Sequence, residues 1–382
     1  MSKSNPWIRR TLFLVFAIGA LEAAFCCYHG RGASGFFSTV AAQVEPYVDD
    51  GRYDYGLSQP NPDYQVKLES NVDIPMPDGT ILKGDVFRPD APGRFPVIMG
   101  QAFFPRIEMP VGTGVDDIGG VQPKYQRFEQ PLPDYWIPRG YIYVSFSPRG
   151  YGGSGGRTSC LTHQEYQDYY DAIEWAANQS WSNGNIGLFG ISYYAFSQYF
   201  VGGLNPPSLK AIVPWEGLAD TYRDIGYRGG IPCGFGIGFA LLLESFADDP
   251  STALNYTGML AEHPLRDDVW EYGANVLIDP DAKDKRIQDL LSEIDVPMLS
   301  VGNLNDSDLH LRGNHSAFMA ARTTEKKLLL YSGTHWGSAY QPWANRTVLR
   351  FFDHWLKDND TGIYDEPMVD VQLPTASDTF TH

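Results

Sequence analysis

The segment Gly190-Ile191-Ser192-Tyr193-Tyr194 carries the sharpest chemical signal in this 382-residue chain. The residues before it, Asn183 to Gly190 (NGNIGLFG), read as a strand running into a sharp turn, and those from Tyr193 onward read as a helix. A serine between the two stands on a tight turn at the carboxyl end of a sheet with its hydroxyl exposed, which suits a nucleophile. Gly190 permits close backbone approach. The Tyr193 backbone amide points to where an oxyanion would develop, and the helix N-terminus adds partial positive charge. A glycine usually stands where Tyr194 does, and a lone Gly-x-Ser is more often an ordinary turn, so Ser192 needs partners. His335 follows the strand-like run Lys327 to Tyr331 and is the candidate general base. His354 falls on an amphipathic helix and reads as a packing or surface residue. His310 and His315 lie too close to the candidate acids to replace His335, and His163 and His263 have no visible partner.

These residues need a scaffold that brings strand ends together. Val72 to Phe87 reads as a hairpin turning at Asp78-Gly79. Phe95 to Gly100 and Tyr141 to Phe146 are short apolar runs of the kind that forms buried parallel strands. Helices are expected over Gln164 to Asn178 and Asn345 to Lys357, from apolar residues at three- and four-residue spacing. Strands follow at Ala211 to Pro214, Val296 to Gly302 and Lys327 to Ser332. The alternation predicts an α/β fold, a mostly parallel central sheet flanked by helices. It breaks over 216–290, which reads as an inserted helical cap. The expected organisation is therefore a leader at 1–28, an extended arm at 29–70, a core of 71–215 and 291–365, the cap at 216–290, and a C-terminal piece at 366–382.

Composition narrows the partners. Lys and Arg number 29 against 46 Asp and Glu, a formal charge of −17. Nucleic-acid binding needs a basic face, so it is not expected. A neutral or cationic small molecule or short peptide is. Lys3, Arg9 and Arg10 precede an apolar run from Leu12 to Leu21, the pattern of a secretory signal or an uncleaved signal anchor. Membrane attachment would then be through the N-terminal segment. Sequons at Asn178, Asn255, Asn305, Asn314, Asn345 and Asn359 lean towards the secretory route, secreted or membrane-anchored. Cys26 and Cys27 belong to the leader region, leaving Cys160 and Cys233 as the pair whose state the sequence leaves open. No Cys/His spacing matches a zinc site, and no metal or organic cofactor is implied.

Several motifs occur together: Arg149-Gly150-Tyr-Gly152-Gly-Ser154-Gly-Gly156, Tyr170-Asp-Ala-Ile-Glu-Trp175, Trp181-Ser-Asn-Gly-Asn-Ile-Gly187 and Gly190-Ile-Ser-Tyr-Tyr-Ala195. Trp215 with Asp220-Thr-Tyr-Arg223, Leu311-Arg-Gly-Asn314, Gly333-Thr-His-Trp336 and Phe351-Phe-Asp-His-Trp-Leu356 complete the set. Over roughly residues 70 to 370 the chain resembles the cocaine-esterase/X-prolyl dipeptidyl-peptidase (CocE/NonD) family of α/β-hydrolases. That resemblance implies a serine esterase or peptidase in which Ser192 and His335 work with an aspartate after the strand Pro297 to Val301. Counting back from Arg312 lands on Asp308, with Asp306 as the alternative. It also implies a tyrosine helping the oxyanion, but the matched position holds Phe104. Losing one such donor costs about 2.7–4 kcal/mol of barrier. A loop amide, the Gln101 side chain or water are the candidate substitutes. Family members commonly carry a β-sandwich after the hydrolase domain, and residues 366–382 are expected to be the start of one.

Trp215, Tyr222, Phe235, Phe239 and Trp336 are candidate pocket-lining aromatics. Glu216 and Asp220 either hold a cationic substrate group or pair with Arg223 or Arg228. Three readings stand: hydrolysis of a medium-sized, partly apolar ester or amide through an acyl-enzyme on Ser192, acyl transfer or another tailoring reaction on the same scaffold, and a non-catalytic binding protein that kept the fold.

Overall fold

A computed structural model describes residues 56–108, 123–228, 231–262, 287–306, 309–335, 337–374 and 380–381. The expected leader, Asp308 and Trp336 lie outside the described residues. The chain opens with an antiparallel hairpin, Val66–Pro75 (β1) and Ile81–Pro89 (β2), around Asp78-Gly79. Pairing begins at Val66, inside the stretch expected to be an arm. Val-Lys-Leu-Glu at 66–69 alternates apolar and polar residues, and β2 supplies the ladder it needs.

The remaining elements alternate as the sequence predicts. They are Phe95–Gln101 (β3), Ile142–Ser147 (β4), His163–Ala177 (α1), Ser182–Ser192 (β5), Tyr193–Gly203 (α2) and Leu209–Gly217 (β6). After them come Gly234–Phe246 (α3), Tyr256–Glu262 (α4), Met298–Asn303 (β7), Leu311–Ala320 (α5), Lys326–Tyr331 (β8), Pro342–Lys357 (α6) and Val369–Val371 (β9). The sheet runs β1-β2-β4-β3-β5-β6-β7-β8-β9, parallel from β4 onward, with antiparallel pairing at β1-β2 and β2-β4. Leu328↔Val369 and Leu330↔Val371 pair in parallel, so the first strand of the 366–382 piece adds an edge to the main sheet.

Both faces of the sheet are covered, which is why its central strands are continuous apolar runs. Tyr166 and Ile173 of α1 and Phe196 and Phe200 of α2 fill one face, and Val348, Phe352 and Leu356 of α6 the other. Arg149, from the glycine-rich motif, donates to Asp168 of α1 at 2.6 and 2.8 Å and to Asp78 of the hairpin turn at 2.6 Å. That motif ties the hairpin to the first helix. α3 and α4 lie between β6 and β7 in sequence, within the stretch expected as a cap. Phe239 of α3 packs on Phe103 and Tyr193, with ring centroids 5.8 and 6.1 Å apart, which brings the cap over the Ser192 turn.

Two sequons fall in the core. Asn314 is fully buried and Asn345 nearly so. Asn314 accepts from Gly217 N at 3.0 Å and donates to Tyr199, Ser300 and Pro214, so it is a structural strut and not a glycosylation site of the folded chain. Cys160 and Cys233 are free thiols. Among the described residues no helix is long and apolar enough to cross a membrane.

Candidate active site

Ser192 stands where β5 meets α2, with φ 60° and ψ −112°. A non-glycine residue at positive φ stores of order 1–3 kcal/mol of strain, sustained only by surrounding structure. The support here is specific. Ile191 N–H donates to Glu129 O at 3.1 Å, and a Cβ on Gly190 would come within 2.4 Å of Tyr194 Cβ. The first residue of α2 is Tyr193, directly after Ser192, and the N–H groups of a helix's first turn lack intrahelical acceptors.

The imidazole on Ser192 is not the expected one. His310 Nε2 lies 3.1 Å from Ser192 Oγ, and His310 Nδ1 is hydrogen-bonded to Asp306 Oδ2. Ser192, His310 and Asp306 thus form a complete nucleophile–imidazole–carboxylate chain. His335 was expected on Ser192, but its Nε2 faces Glu129 Oε1 at 3.2 Å and its Nδ1 faces Glu216 Oε2 at 2.6 Å. The two imidazoles stack with centroids 4.7 Å apart and planes 9° from parallel. His335 Nδ1 is also 3.7 Å from Asp306 Oδ2, so one carboxylate serves both rings. Asp306, the alternative candidate acid, lies in the site, in a helical turn directly after β7.

Local structure explains how His310 gets there. It precedes α5, whose Gly313 packs so closely on β6 that a Cβ would sit 2.3 Å from Gly217 O. Arg312 grips Asp224 at 2.5 and 2.6 Å, and Asn314 grips the end of β6. The Leu311-Arg-Gly-Asn314 motif is therefore a clamp that holds His310 over Ser192.

Glu216, considered from sequence as a holder of a cationic group or a partner of arginine, instead meets His335. Ile191 pairs with Trp215 but Ser192 pairs with Gly217, so Glu216 is the extra residue of a bulge, at φ 50°. Bulges re-aim side chains, and this one sends Glu216 to His335 instead of to an arginine. Tyr331 Oη also donates to Glu216 Oε1, and Trp215 Nε1 donates to Tyr331 Oη at 3.0 Å. Trp215, expected to line the pocket, is fully buried and braces this network from the core. Asp220 pairs with Arg223 at 2.7 Å, as considered from sequence. Tyr222 stacks on Tyr227 at 4.9 Å.

The electrostatics follow from this crowding. Burial opposes charge on His335, but Glu216, then Glu129 and Asp306, raise the imidazole well above its ordinary value. Burial also pushes Glu216 up, against the pull of His335. Burial works against ionised Asp306 too, yet the His310 charge and hydrogen bond, followed by His335, hold it below the ordinary range. One donor atom from each of Glu216, Asp306, His310 and His335 lies within 4.8 Å of the others, a grouping that could hold a metal ion and that no sequence spacing announced.

Phe104 packs against Phe103, Phe128 and Tyr194 and offers no donor. Gln101, at the end of β3, is fully buried with neither amide atom partnered among the described residues, and is the nearest polar substitute in sequence. Glu165 lies behind the elbow. It accepts Tyr193 Oη at 2.9 Å and Leu161 N–H at 2.7 Å, and burial pushes its carboxyl up to about 8 despite both bonds. An acid raised in the folded state is protonated there and ionised in the unfolded chain between its ordinary 4.5 and about 8. Its contribution therefore declines as pH rises through that window, by about 1.4 kcal/mol per unit. Glu165→Gln is expected to flatten the loss of stability between pH 5 and 8, measured by urea unfolding at each pH. An unchanged slope would mean that Glu165 is ionised in the fold.

Residues 78–337, more than half of the chain, match the model of the X-Pro dipeptidyl-peptidase (S15 family). Cocaine esterase of Rhodococcus sp. (strain MB1 Bresler) is 30% identical over 175 residues, 44% of this chain and 27% of that protein. A putative Xaa-Pro dipeptidyl-peptidase of Bacillus anthracis is 25% identical over 267 residues, 63% of this chain and 42% of that protein. A crystal structure of a CocE/NonD family hydrolase from Staphylococcus aureus superposes with a TM-score of 0.72 at 34% identity, covering 81% of this chain and 54% of that one. The chain thus spans less than half the length of these two curated relatives. Family match, sheet order and nucleophile elbow agree, and the chain belongs to the X-Pro dipeptidyl-peptidase S15 family, on the α/β-hydrolase fold.

Proposed function

We propose that this protein is a serine hydrolase that cleaves an ester or amide through an acyl-enzyme on Ser192. The observation that carries the reading is the Ser192 hydroxyl on a strained elbow, 3.1 Å from His310 Nε2, with Asp306 behind the ring. In this scheme Ser192 Oγ attacks the carbonyl carbon as its proton passes to His310 Nε2. Asp306 stabilises the imidazolium, and Tyr193 N–H receives the developing oxyanion. His310 then protonates the leaving alcohol or amine, and water repeats the sequence to free the acid. The relatives, an esterase and a putative dipeptidyl-peptidase, support ester and short-peptide substrates as a class. The formal charge of −17, with Glu129, Glu216 and Asp306 around the histidines, favours a neutral or cationic substrate with an apolar acyl part.

The test is labelling of the purified protein with a fluorophosphonate probe and mass-spectrometric mapping. An adduct on Ser192 that is absent from Ser192→Ala is expected. No adduct on folded protein would overturn the reading in favour of a hydrolase-like binding protein. Phe104 supports a second reading, acyl transfer to an acceptor other than water, because the family tyrosine phenol has no counterpart there. Product analysis with added alcohols and amines separates the two: transfer gives the acylated acceptor, hydrolysis the free acid.

A further inference from the structure

We infer that Glu216, Asp306, His310 and His335 form a binding site for a divalent transition-metal ion, best suited to Zn²⁺, whose occupation silences Ser192. Binding stands on the geometry alone, and the silencing rests on the hydrolase reading above. Both imidazoles turn Nδ1 towards Asp306. His310 Nδ1 meets Asp306 Oδ2, while His335 Nδ1 lies 2.6 Å from Glu216 Oε2 and 3.7 Å from Asp306 Oδ2. Two imidazole nitrogens and two carboxylate oxygens are a zinc donor set, and bonds of about 2.0–2.2 Å would need the closest donor pairs to part by roughly 1 Å.

Two further observations point to a cation. Asp306 Oδ1 is buried with no hydrogen-bond partner among the described residues, so one carboxylate oxygen keeps its lone pairs unused by any donor there. The ligands are also already oriented from behind, as metal ligands are. His335 Nε2 points to Glu129, His310 Nε2 to Ser192, and Glu216 Oε1 takes the Tyr331 hydroxyl. The ion replaces the Nδ1 protons, which leave to solvent. His310 then keeps its proton on Nε2 and donates it to Ser192 Oγ. It has no lone pair left to accept the serine proton, and the nucleophile is off until the metal leaves.

The experiment titrates chelator-stripped full-length protein with Co²⁺ and reads the visible d–d absorption, which reports coordination geometry without any substrate. One equivalent with an intense tetrahedral spectrum, displaced by Zn²⁺, is expected. Ser192→Ala should keep it, Glu216→Gln and His335→Ala should lose it, and Glu129→Gln should weaken affinity about 10–100-fold. Melting curves verify the fold of each variant, and either ligand variant alone suffices. Absence of a stoichiometric spectrum, or equal affinity in a folded ligand variant, overturns the site. Fluorophosphonate labelling of Ser192 should stop with one equivalent of Zn²⁺ and return with chelator, and labelling unaffected by bound Zn²⁺ overturns the silencing. Metal-free protein that never labels counts against the hydrolase reading, while the cobalt spectrum still decides the site.

Discussion

Alanine at Ser192 is expected to lower kcat on p-nitrophenyl butyrate by about 10⁴–10⁶-fold, the scale seen when the nucleophile of a serine triad is removed. KM should move little, because the hydroxyl is spent on the reaction and not on holding the acyl chain. The remaining rate would come from binding and from the Tyr193 amide, which the substitution leaves in place. Alanine does not relieve the backbone, since φ stays near 60°. Glycine does, so Ser192→Gly is expected to be equally inactive yet more stable than Ser192→Ala by about 1 kcal/mol. Steady-state kinetics and urea unfolding of the two variants check both statements. Activity within tenfold of wild type in either variant would remove Ser192 from the mechanism.

The second large effect separates the two histidines. His310→Ala is expected to cost about 10²–10⁴-fold in kcat, the usual share of a positioned general base. His335→Ala should cost less, because its ring bonds Glu129 and Glu216 and makes no hydrogen bond to Ser192. The pH profile gives an independent readout. Without His310, the nearest imidazole to the shared Asp306 is His335, held well above its ordinary pKa mainly by Glu216. Activity of a base requires its neutral form, so the surviving rate in His310→Ala should rise only at pH above the ordinary imidazole range. The opposite ranking, with His335→Ala the more damaging and His310→Ala keeping the wild-type profile, would restore His335 as the base.

The elbow was legible in the sequence because its determinants are local. An apolar strand, a glycine, a serine and a helix in immediate succession leave little choice of backbone, and Ser192 sits at φ 60° as a consequence. The sheet was legible for a similar reason, since short apolar runs separated by amphipathic helices can bury both faces only as parallel strands. Trp215 was misjudged because an aromatic side chain reads alike in a pocket wall and in a core.

The partner of Ser192 was a tertiary decision. β6, β7 and β8 are parallel neighbours, so the loops that leave them emerge side by side at one edge of the sheet. His310 follows β7 and His335 follows β8, and Asn303 joins the two loops by donating to Gly333 O at 3.1 Å. Spacing along the chain cannot rank two imidazoles delivered to the same point. What ranked them was the close approach of Gly313 to Gly217, which presses His310 onto Ser192, and the bulge at Glu216, which draws His335 away. The sequence by itself determined that a serine would stand on a tight turn between a strand and a helix. Packing between elements about a hundred residues apart decided which base, which acid and which additional carboxylates would surround it.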